Sequence, residues 1–253
     1  MDKAKVLKQV LSEYKDYMEN SQEISRLYGL VKGGRATQAA GLQMASLSGG
    51  KLADIFVENI LPELGEGEAL LLDDALAVIP EGLKSNYEYV TAFLLQLQTK
   101  LDAKAGIGLK PLTAPFDIDR ARGLAEVATE GAFADIAQNF KGQVANYAMH
   151  VVDESMQMTA ESRAHAGLEV LVTRTYDDVG LSGGRECEWC KERECHDMPY
   201  QEAYELGAFE RHPGCGCMIT YTNSKGDTTY QAGKGVWYKS SKEALEQRKS
   251  YGL

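Results

Sequence analysis

The cysteines of this chain lie in one short stretch. All 5 fall between Cys187 and Cys217, and none occurs in the long region before it. Cys187 and Cys190 are separated by two residues, and His212 and Cys215 follow in a later segment. Two thiols at this spacing can hold one tetrahedral ion, and a second group of ligands completes a set of four. Because cysteine and histidine are mixed, the pattern predicts a structural zinc ion, Zn2+.

The choice among the later ligands stays open. Cys215 and Cys217 would point to one face of a strand because side chains alternate, whereas the Pro-Gly turn after His212 suits a metal knuckle. We favour a ligand set of Cys187, Cys190, His212 and either Cys215 or Cys217. The adjacent Cys195 and His196 form a weaker candidate pair.

Other uses of clustered cysteines fit less well. A disulfide framework is disfavoured because the number of cysteines is odd and the N-terminus has no apolar run typical of a secretion signal. A thioredoxin-type site would need a surrounding βαβ pattern, which the sequence does not indicate. Free cysteines used only for packing would be expected to scatter through a core. Metal binding is therefore the favoured interpretation.

Two segments around these ligands carry a family pattern. The first reads Cys-x-Trp-Cys at 187–190, and the second runs from Phe209 through Arg-His-Pro-Gly-Cys-Gly-Cys at 211–217 to Ile219 and Tyr221. Together they resemble the C-terminal signature of phage minor head proteins, the Mu F-like family of tailed phages. The segment 104–110 is similar to a second stretch of that family. The charged run 191–196 and Gly216, where the family often has arginine, depart from the pattern.

The resemblance implies a structural role and no enzymatic activity. It predicts a minor head, or minor capsid, protein that is made in the host bacterial cytoplasm and located in the virion. Its expected partners are portal subunits, major capsid subunits or both, with packaged DNA nearby and homo-oligomers as a further option. No membrane partner is expected.

A zinc module that binds nucleic acid, or a nucleic-acid enzyme, is the alternative function. Trp189 with Arg185, Arg193 and Arg211 could form a contact patch, but neighbouring glutamates dilute its charge. A zinc deaminase would need His-x-Glu followed by Pro-Cys-x-x-Cys, and Glu186 stands where that proline would be. A His-Asn-His nuclease would need a histidine later in the chain than any present here.

The overall composition is that of an ordinary globular protein. The chain has 253 residues, of which 44% are apolar and 25% charged, and its net charge is −10. This charge disfavours nonspecific binding to DNA and to anionic membrane surfaces. No segment approaches the roughly 18–20 apolar residues of a membrane span.

Hydrophobic periodicity predicts an α+β fold with a mostly helical N-terminal body at 1–167, a small β-rich zinc module at 168–240 and a charged tail at 241–253. Three helices are expected over 2–18, 52–61 and 132–166. Three more are expected to begin at capping residues: one at Asn20 or Ser21, one at Ser85 or Asn86 that ends at Gly106, and one at Asp117 that ends at Val127.

Breaks between these helices are predicted where glycine and proline concentrate. The run Ser-Gly-Gly-Lys at 48–51 lacks the full phosphate-loop pattern and is interpreted as a turn, and loops are predicted at 65–68 and 80–82. Strands are predicted at 168–176, 218–221 and 228–230, with turns at 182–184 and 223–227.

Overall fold

The fold consists of eight helices and four strands in the part of the chain that the computed structural model describes, which comprises residues 1–175, 188–210, 217–223 and 230–232. The helices are α1 (Lys3–Asn20), α2 (Gln22–Lys32), α3 (Ala39–Ile60), α4 (Leu72–Ala105), α5 (Ile118–Val127), α6 (Phe133–His165), α7 (Glu188–Lys191) and α8 (Tyr200–Glu205), and a short 3-10 helix spans Leu61–Glu63. The strands are β1 (Val170–Thr175), β2 (Cys195–Pro199), β3 (Met218–Asn223) and β4 (Tyr230–Ala232). The predicted α+β class is confirmed.

Several helix ends are set by the side chains that the sequence indicated. Ser21 accepts a hydrogen bond from the Ile24 amide at 3.3 Å at the start of α2, and Asp117 accepts one from the Arg120 amide at 2.9 Å at the start of α5. Helix α4 ends at Gly106, whose φ of 70° lies in the left-handed region that glycine adopts most easily. These predicted boundaries are confirmed because each depends on a local interaction.

The predicted turn at 48–51 is wrong, because these residues lie inside α3. A Cβ atom on Gly49 would come within 2.8 Å of the Ala148 Cβ and 3.2 Å of the Ala145 carbonyl oxygen on α6. The missing side chain therefore allows α3 and α6 to pack closely. Glycine serves helix packing at this position and does not interrupt the helix.

The predicted loop at 80–82 is also wrong, since α4 continues through Pro80 for a total of 34 residues. A Cβ atom on Gly82 would lie 2.4 Å from Phe56 Cζ, so this glycine makes room for an aromatic ring of α3. Neither Ser85 nor Asn86 caps a helix. The Asn86 side chain is buried in the helix interior.

The buried Asn86 amide ties three helices together. It donates one hydrogen bond to the Tyr14 hydroxyl at 2.7 Å and another to the Ser48 hydroxyl at 3.0 Å. These partners lie on α1 and α3. A residue type that favours helix caps can occupy a helix interior when tertiary partners satisfy its side chain.

A second chain of buried polar groups joins Gln38, the residue before α3, to α4 and α6. The Gln38 amide donates to Gln98 Oε1 at 2.7 Å, and the Gln98 amide donates to Asp102 Oδ1 at 2.7 Å. Asp102 in turn forms an ion pair with Arg163, and both side chains are almost completely buried. The helical body thus contains a charge pair in its interior.

The four strands form one antiparallel sheet in the order β2-β1-β3-β4. In the register of β1 and β3, Val172 lies opposite Tyr221 and Arg174 lies opposite Ile219. Val172, Ile219 and Tyr221 belong to the same buried cluster as the core of the helices, so the sheet packs directly on the helical body. The division at 167 and 168 stays a prediction.

Strand β2 and helix α8 were not predicted, and the predicted strand at 168–176 is confirmed over Val170–Thr175. The predicted turn at 182–184, most of the turn at 223–227 and the tail at 241–253 lie outside the described residues. Within the described ranges, no helix is both long and apolar enough to span a membrane.

Candidate metal centre

Two of the five predicted metal ligands, Cys190 and Cys217, lie in the described part of the chain, whereas Cys187, His212 and Cys215 lie outside it. Both described thiols are 2% exposed and neither forms a disulfide. Among residues 1–175, 188–210, 217–223 and 230–232, no group of three or more histidine, cysteine or acidic side chains could hold a metal ion. The described residues therefore give part of the predicted ligand set.

Cys190 lies on the single turn of α7 and faces the interior beside Trp189, which is fully buried. Its Sγ atom is 3.7 Å from Nη2 of Arg174 on strand β1. This distance lies within the range for a hydrogen bond to sulfur, with the guanidinium as donor. One predicted ligand thus contacts a buried cation.

Cys217 is buried directly before β3, the strand that pairs with β1. Cys217, Ile219 and Tyr221 are all buried, and this alternation places the three side chains on one face of the segment. Ile219 is directly opposite Arg174 in the register of β1 and β3. Cys217 is therefore a diagonal cross-strand neighbour of Arg174, at a separation that long side chains can bridge.

Arg174 itself occupies an inward position of β1. Val170, Val172 and Arg174 are buried at alternate positions, so a charged side chain stands where an apolar one would be expected. Its Nη1 donates to the Ala208 carbonyl at 2.9 Å and to the Glu210 carbonyl at 2.7 Å. Arg174 thus holds the chain that follows α8 against the sheet.

Trp189 is enclosed by two arginines. The Arg193 guanidinium lies 4.0 Å from the Trp189 ring centroid, and that of Arg174 lies 5.6 Å from it. Arg193 also donates to the Trp189 carbonyl at 3.1 Å and to the Glu210 carboxylate at 3.4 Å. A tryptophan that is fully buried cannot stack on a nucleic-acid base, which weighs against a contact patch built on Trp189.

An aromatic stack connects the loop after α8 to the sheet. The rings of Tyr200 and Phe209 are 5.1 Å apart and stacked, and those of Phe209 and Tyr221 are 6.0 Å apart at an angle of 11°. Phe209 and Tyr221 are both residues of the signature that suggested the family resemblance. The fold brings the signature residues that it describes into one packed region.

The weaker candidate pair Cys195 and His196 does not converge. Cys195 is 4% exposed and faces the core, where its Sγ lies 3.7 Å from the Val172 carbonyl oxygen, whereas the His196 side chain is 70% exposed. The two neighbours on β2 therefore point to opposite faces. Burial raises the pKa of the Cys195 thiol, with opposing contributions from Arg174, so the protonated thiol is favoured there.

Cysteine thiolates are typical zinc ligands, and the described residues include one or two of the four in the predicted set. Metal-bound cysteines are thiolates, and a zinc ion with three thiolate ligands carries a net negative charge. A buried, permanently charged guanidinium at hydrogen-bonding distance from Cys190 complements that charge. In the predicted set, a zinc ion would be held by Cys187, Cys190, His212 and either Cys215 or Cys217, of which Cys187, His212 and Cys215 lie outside the described residues.

Sequence reasoning missed Arg174. Charged residues on a strand are expected on the solvent face, and nothing in the local pattern indicates the carbonyl oxygens that Arg174 meets after α8. Its position in phase with the apolar residues Val170 and Val172 was the available signal.

No family model matches this chain, and neither a curated protein nor a solved structure shows a significant match.

Proposed function

We propose that this chain is a minor head protein of a tailed phage and that its sheet region contains a structural zinc ion. The virion is the proposed location, and portal or major capsid subunits are the proposed partners. The signature Cys-x-Trp-Cys with the later Arg-His-x-x-Cys-x-Cys supports the family assignment. The predominance of long helices is compatible with a protein that packs against other subunits.

The zinc proposal is supported by the burial of Cys190, which contacts Arg174, and of Cys217, which lies diagonal to Arg174 in the register of β1 and β3. These cysteines are distant in the sequence, yet α7 and the start of β3 direct both toward the same end of the sheet. A bound zinc ion would supply a cross-link between segments that bury little apolar surface themselves. The role we assign to it is structural, because four protein ligands leave no position for a substrate.

The assignment to the phage head is tested on particles. Virions purified from a strain that encodes the chain would be separated into head and tail fractions, and peptides of the chain would be quantified by mass spectrometry. We expect the chain at low copy in the head fraction. Particles from a strain with the gene deleted are the control, and absence of the chain from all wild-type heads would overturn the assignment.

Cross-linking of intact particles tests the proposed partners. Mass spectrometry of the cross-linked heads should recover peptides of this chain joined to portal or major capsid peptides. Cross-links to tail proteins alone would contradict the proposed location. The experiment does not depend on zinc, so it tests the phage assignment separately from the metal centre.

A further inference from the structure

Three leucines at the start of α4 are exposed to solvent. Leu71 is 68% exposed, Leu72 45% and Leu76 37%. Leu72 and Leu76 are four residues apart and share one face of the helix, and Leu71 directly precedes it. We propose that this leucine surface, formed by Leu71, Leu72 and Leu76, docks a segment of a partner protein that combines apolar and basic side chains. The surface belongs to the helical body and does not involve the proposed zinc ion.

Leu71 occupies a helix position that favours other residue types. It is the N-cap of α4, with a φ of −72° and a ψ of 140°, and its side chain makes no capping hydrogen bond. Serine, threonine, aspartate and asparagine are preferred at an N-cap because their side-chain oxygens accept hydrogen bonds from amides of the first turn. A leucine offers no such acceptor, and at 68% exposure it gains little from burial. Contact with another molecule accounts for this side chain better than capping or core packing does.

The backbone that leads to Leu71 is held by hydrogen bonds and by a buried side chain. The Gly65 amide donates to the Glu68 carboxylate at 2.8 Å, and the Phe133 amide at the start of α6 donates to the Glu68 carbonyl at 3.0 Å. Leu70, the residue before the leucine surface, is 2% exposed and belongs to the core. A surface that is ordered before binding loses less conformational entropy when a partner docks.

The chain around the leucine surface is acidic. The segment 61–76 has no lysine, arginine or histidine and contains five acidic residues: Glu63, Glu66, Glu68, Asp73 and Asp74. Lys5 of α1 pairs with Glu63 at 2.6 Å. The Met1 amine lies 3.8 Å from Asp74. The other three carboxylates form no ion pair within the described ranges, so the surroundings of the leucines keep a net negative charge.

This charge discriminates among the molecules that would cover the leucines. Basic side chains of a partner segment would pair with the carboxylates while its apolar side chains cover the leucines, and complementary charge favours such an encounter. A symmetric contact between two copies of this chain would place the acidic residues against one another. An anionic membrane surface would repel them. A basic and apolar segment of another protein is therefore the favoured occupant.

Binding of synthetic helical peptides to the full chain tests the proposal. One peptide carries leucine on one face and lysine on the other, and a second has glutamate in place of every lysine. Fluorescence anisotropy measures both affinities. We expect the leucine–lysine peptide to bind, with an affinity that falls as salt rises because salt screens exposed charges. The leucine–glutamate peptide should bind at least about tenfold more weakly.

Leu71→Ser separates docking from folding. Serine supplies the missing N-cap acceptor, so this variant should unfold at a higher temperature than the wild-type protein. Its affinity for the leucine–lysine peptide should nevertheless fall by about tenfold or more, because a few side chains carry most of the binding energy of an interface. Leu95→Ser is the matched control, since Leu95 lies in the second half of α4 and is 37% exposed. It should bind the peptide as the wild-type protein does.

Three results would overturn the proposal: no binding of the leucine–lysine peptide, equal affinity for the two peptides, or unchanged affinity in folded Leu71→Ser and Leu72→Ser. Sedimentation velocity and vesicle flotation test the other occupants. Self-association that Leu71→Ser abolishes would assign the surface to a second copy of this chain. Binding to phosphatidylcholine vesicles that the same variant abolishes would assign it to a membrane, and either outcome contradicts a protein segment as the occupant.

Discussion

Arg163 in the helical body and Arg174 in the sheet region are both buried, but their surroundings differ. Arg163 is 3% exposed and pairs with Asp102, whose carboxylate also accepts from Gln98. Arg174 is fully buried and donates to two backbone carbonyls and to the Cys190 sulfur. The first cation meets an acidic side chain from a neighbouring helix, whereas the second meets carbonyl oxygens of a loop and a thiol.

This difference separates two ways of stabilising a buried charge. In the helical body, long helices hold the two members of the Asp102–Arg163 pair in place, so no other component is needed. In the sheet region, Arg174 holds a loop and a cysteine that we propose as a zinc ligand. We therefore expect the helices to keep their structure without metal and the sheet region to depend on it.

Zinc removal should produce the largest effect and would test this comparison directly. Structural zinc contributes on the order of 10 kcal/mol in small zinc modules. After chelation, we expect the amides of β1 and β3 to lose most of their protection from hydrogen exchange, while those of α4 and α6 retain theirs. Hydrogen exchange with mass spectrometric detection resolves the two regions.

Cysteine variants provide the controls for this experiment. Cys190→Ser removes a proposed ligand and should make the sheet region insensitive to chelator because little zinc remains bound. Cys195→Ser alters a buried cysteine outside the favoured ligand set and should keep the wild-type response. Unchanged protection of β1 and β3 after complete removal of zinc would show that the sheet does not need the metal.

Breaking the Asp102–Arg163 pair should produce the next largest effect. Asp102→Ala leaves the Arg163 cation buried without this carboxylate and should reduce the free energy of unfolding by about 3–5 kcal/mol. Chemical denaturation followed by circular dichroism measures the change. Zinc content should stay at the wild-type level, because this pair belongs to the helical body.

A double variant separates the destabilisation caused by a buried charge without its ion-pair partner from the destabilisation caused by lost packing. Asp102→Leu combined with Arg163→Met replaces both charged groups by apolar ones and should recover most of the lost stability. If the double variant is as unstable as Asp102→Ala, packing and not charge accounts for the effect.

The same two regions differ in how well the sequence predicted them. Helix α6 and the caps at Ser21 and Asp117 were predicted because apolar spacing and side-chain capping act within a few residues. The breaks at 48–51 and 80–82 were wrong because Gly49 and Gly82 serve contacts with other helices. Local sequence shows that a glycine is present, but the reason for it lies on α6 or α3.

In the sheet region, the cysteine pattern indicated the place of the candidate site but not its surroundings. Strand β2 was missed because its residues do not alternate regularly, and Asp197 within it has a φ of 47° at an irregular pairing with β1. Arg174 was missed because its partners follow α8, which was itself not predicted. Interactions between segments distant in sequence leave no local periodic signal.

Substitution of Gly49 tests the close packing of α3 against α6 and should change stability less than the loss of the Asp102–Arg163 pair. In Gly49→Ala the new methyl group would meet Ala148 and the backbone of Ala145, and overpacking of this kind costs about 1–3 kcal/mol. Gly50→Ala is the matched control, because a Cβ there meets nothing within 4 Å. It should instead gain up to about 1 kcal/mol from helix propensity. Thermal unfolding of the two variants should therefore shift in opposite directions.

His150 is a buried basic side chain that, unlike the two arginines, can lose its charge. We expect its substitution to have the smallest effect on stability. Its Nε2 lies 3.1 Å from Glu154 and 3.9 Å from Asp117, yet burial lowers its pKa, aided by Arg120 and opposed by the two carboxylates. The unfolded chain therefore binds the proton more readily, and stability should fall as the pH drops below about 6.5.

The pH dependence is measured by chemical denaturation of the wild-type protein and His150→Gln across this range. Substitution should remove a contribution of at most one proton from the slope of unfolding free energy against pH. Arg163 and Arg174 keep their charge throughout, so they should contribute nothing to this slope. If the variant retains the full wild-type slope, proton uptake on unfolding occurs elsewhere, and the carboxylates of Glu154 and Asp117 compensate the burial of His150.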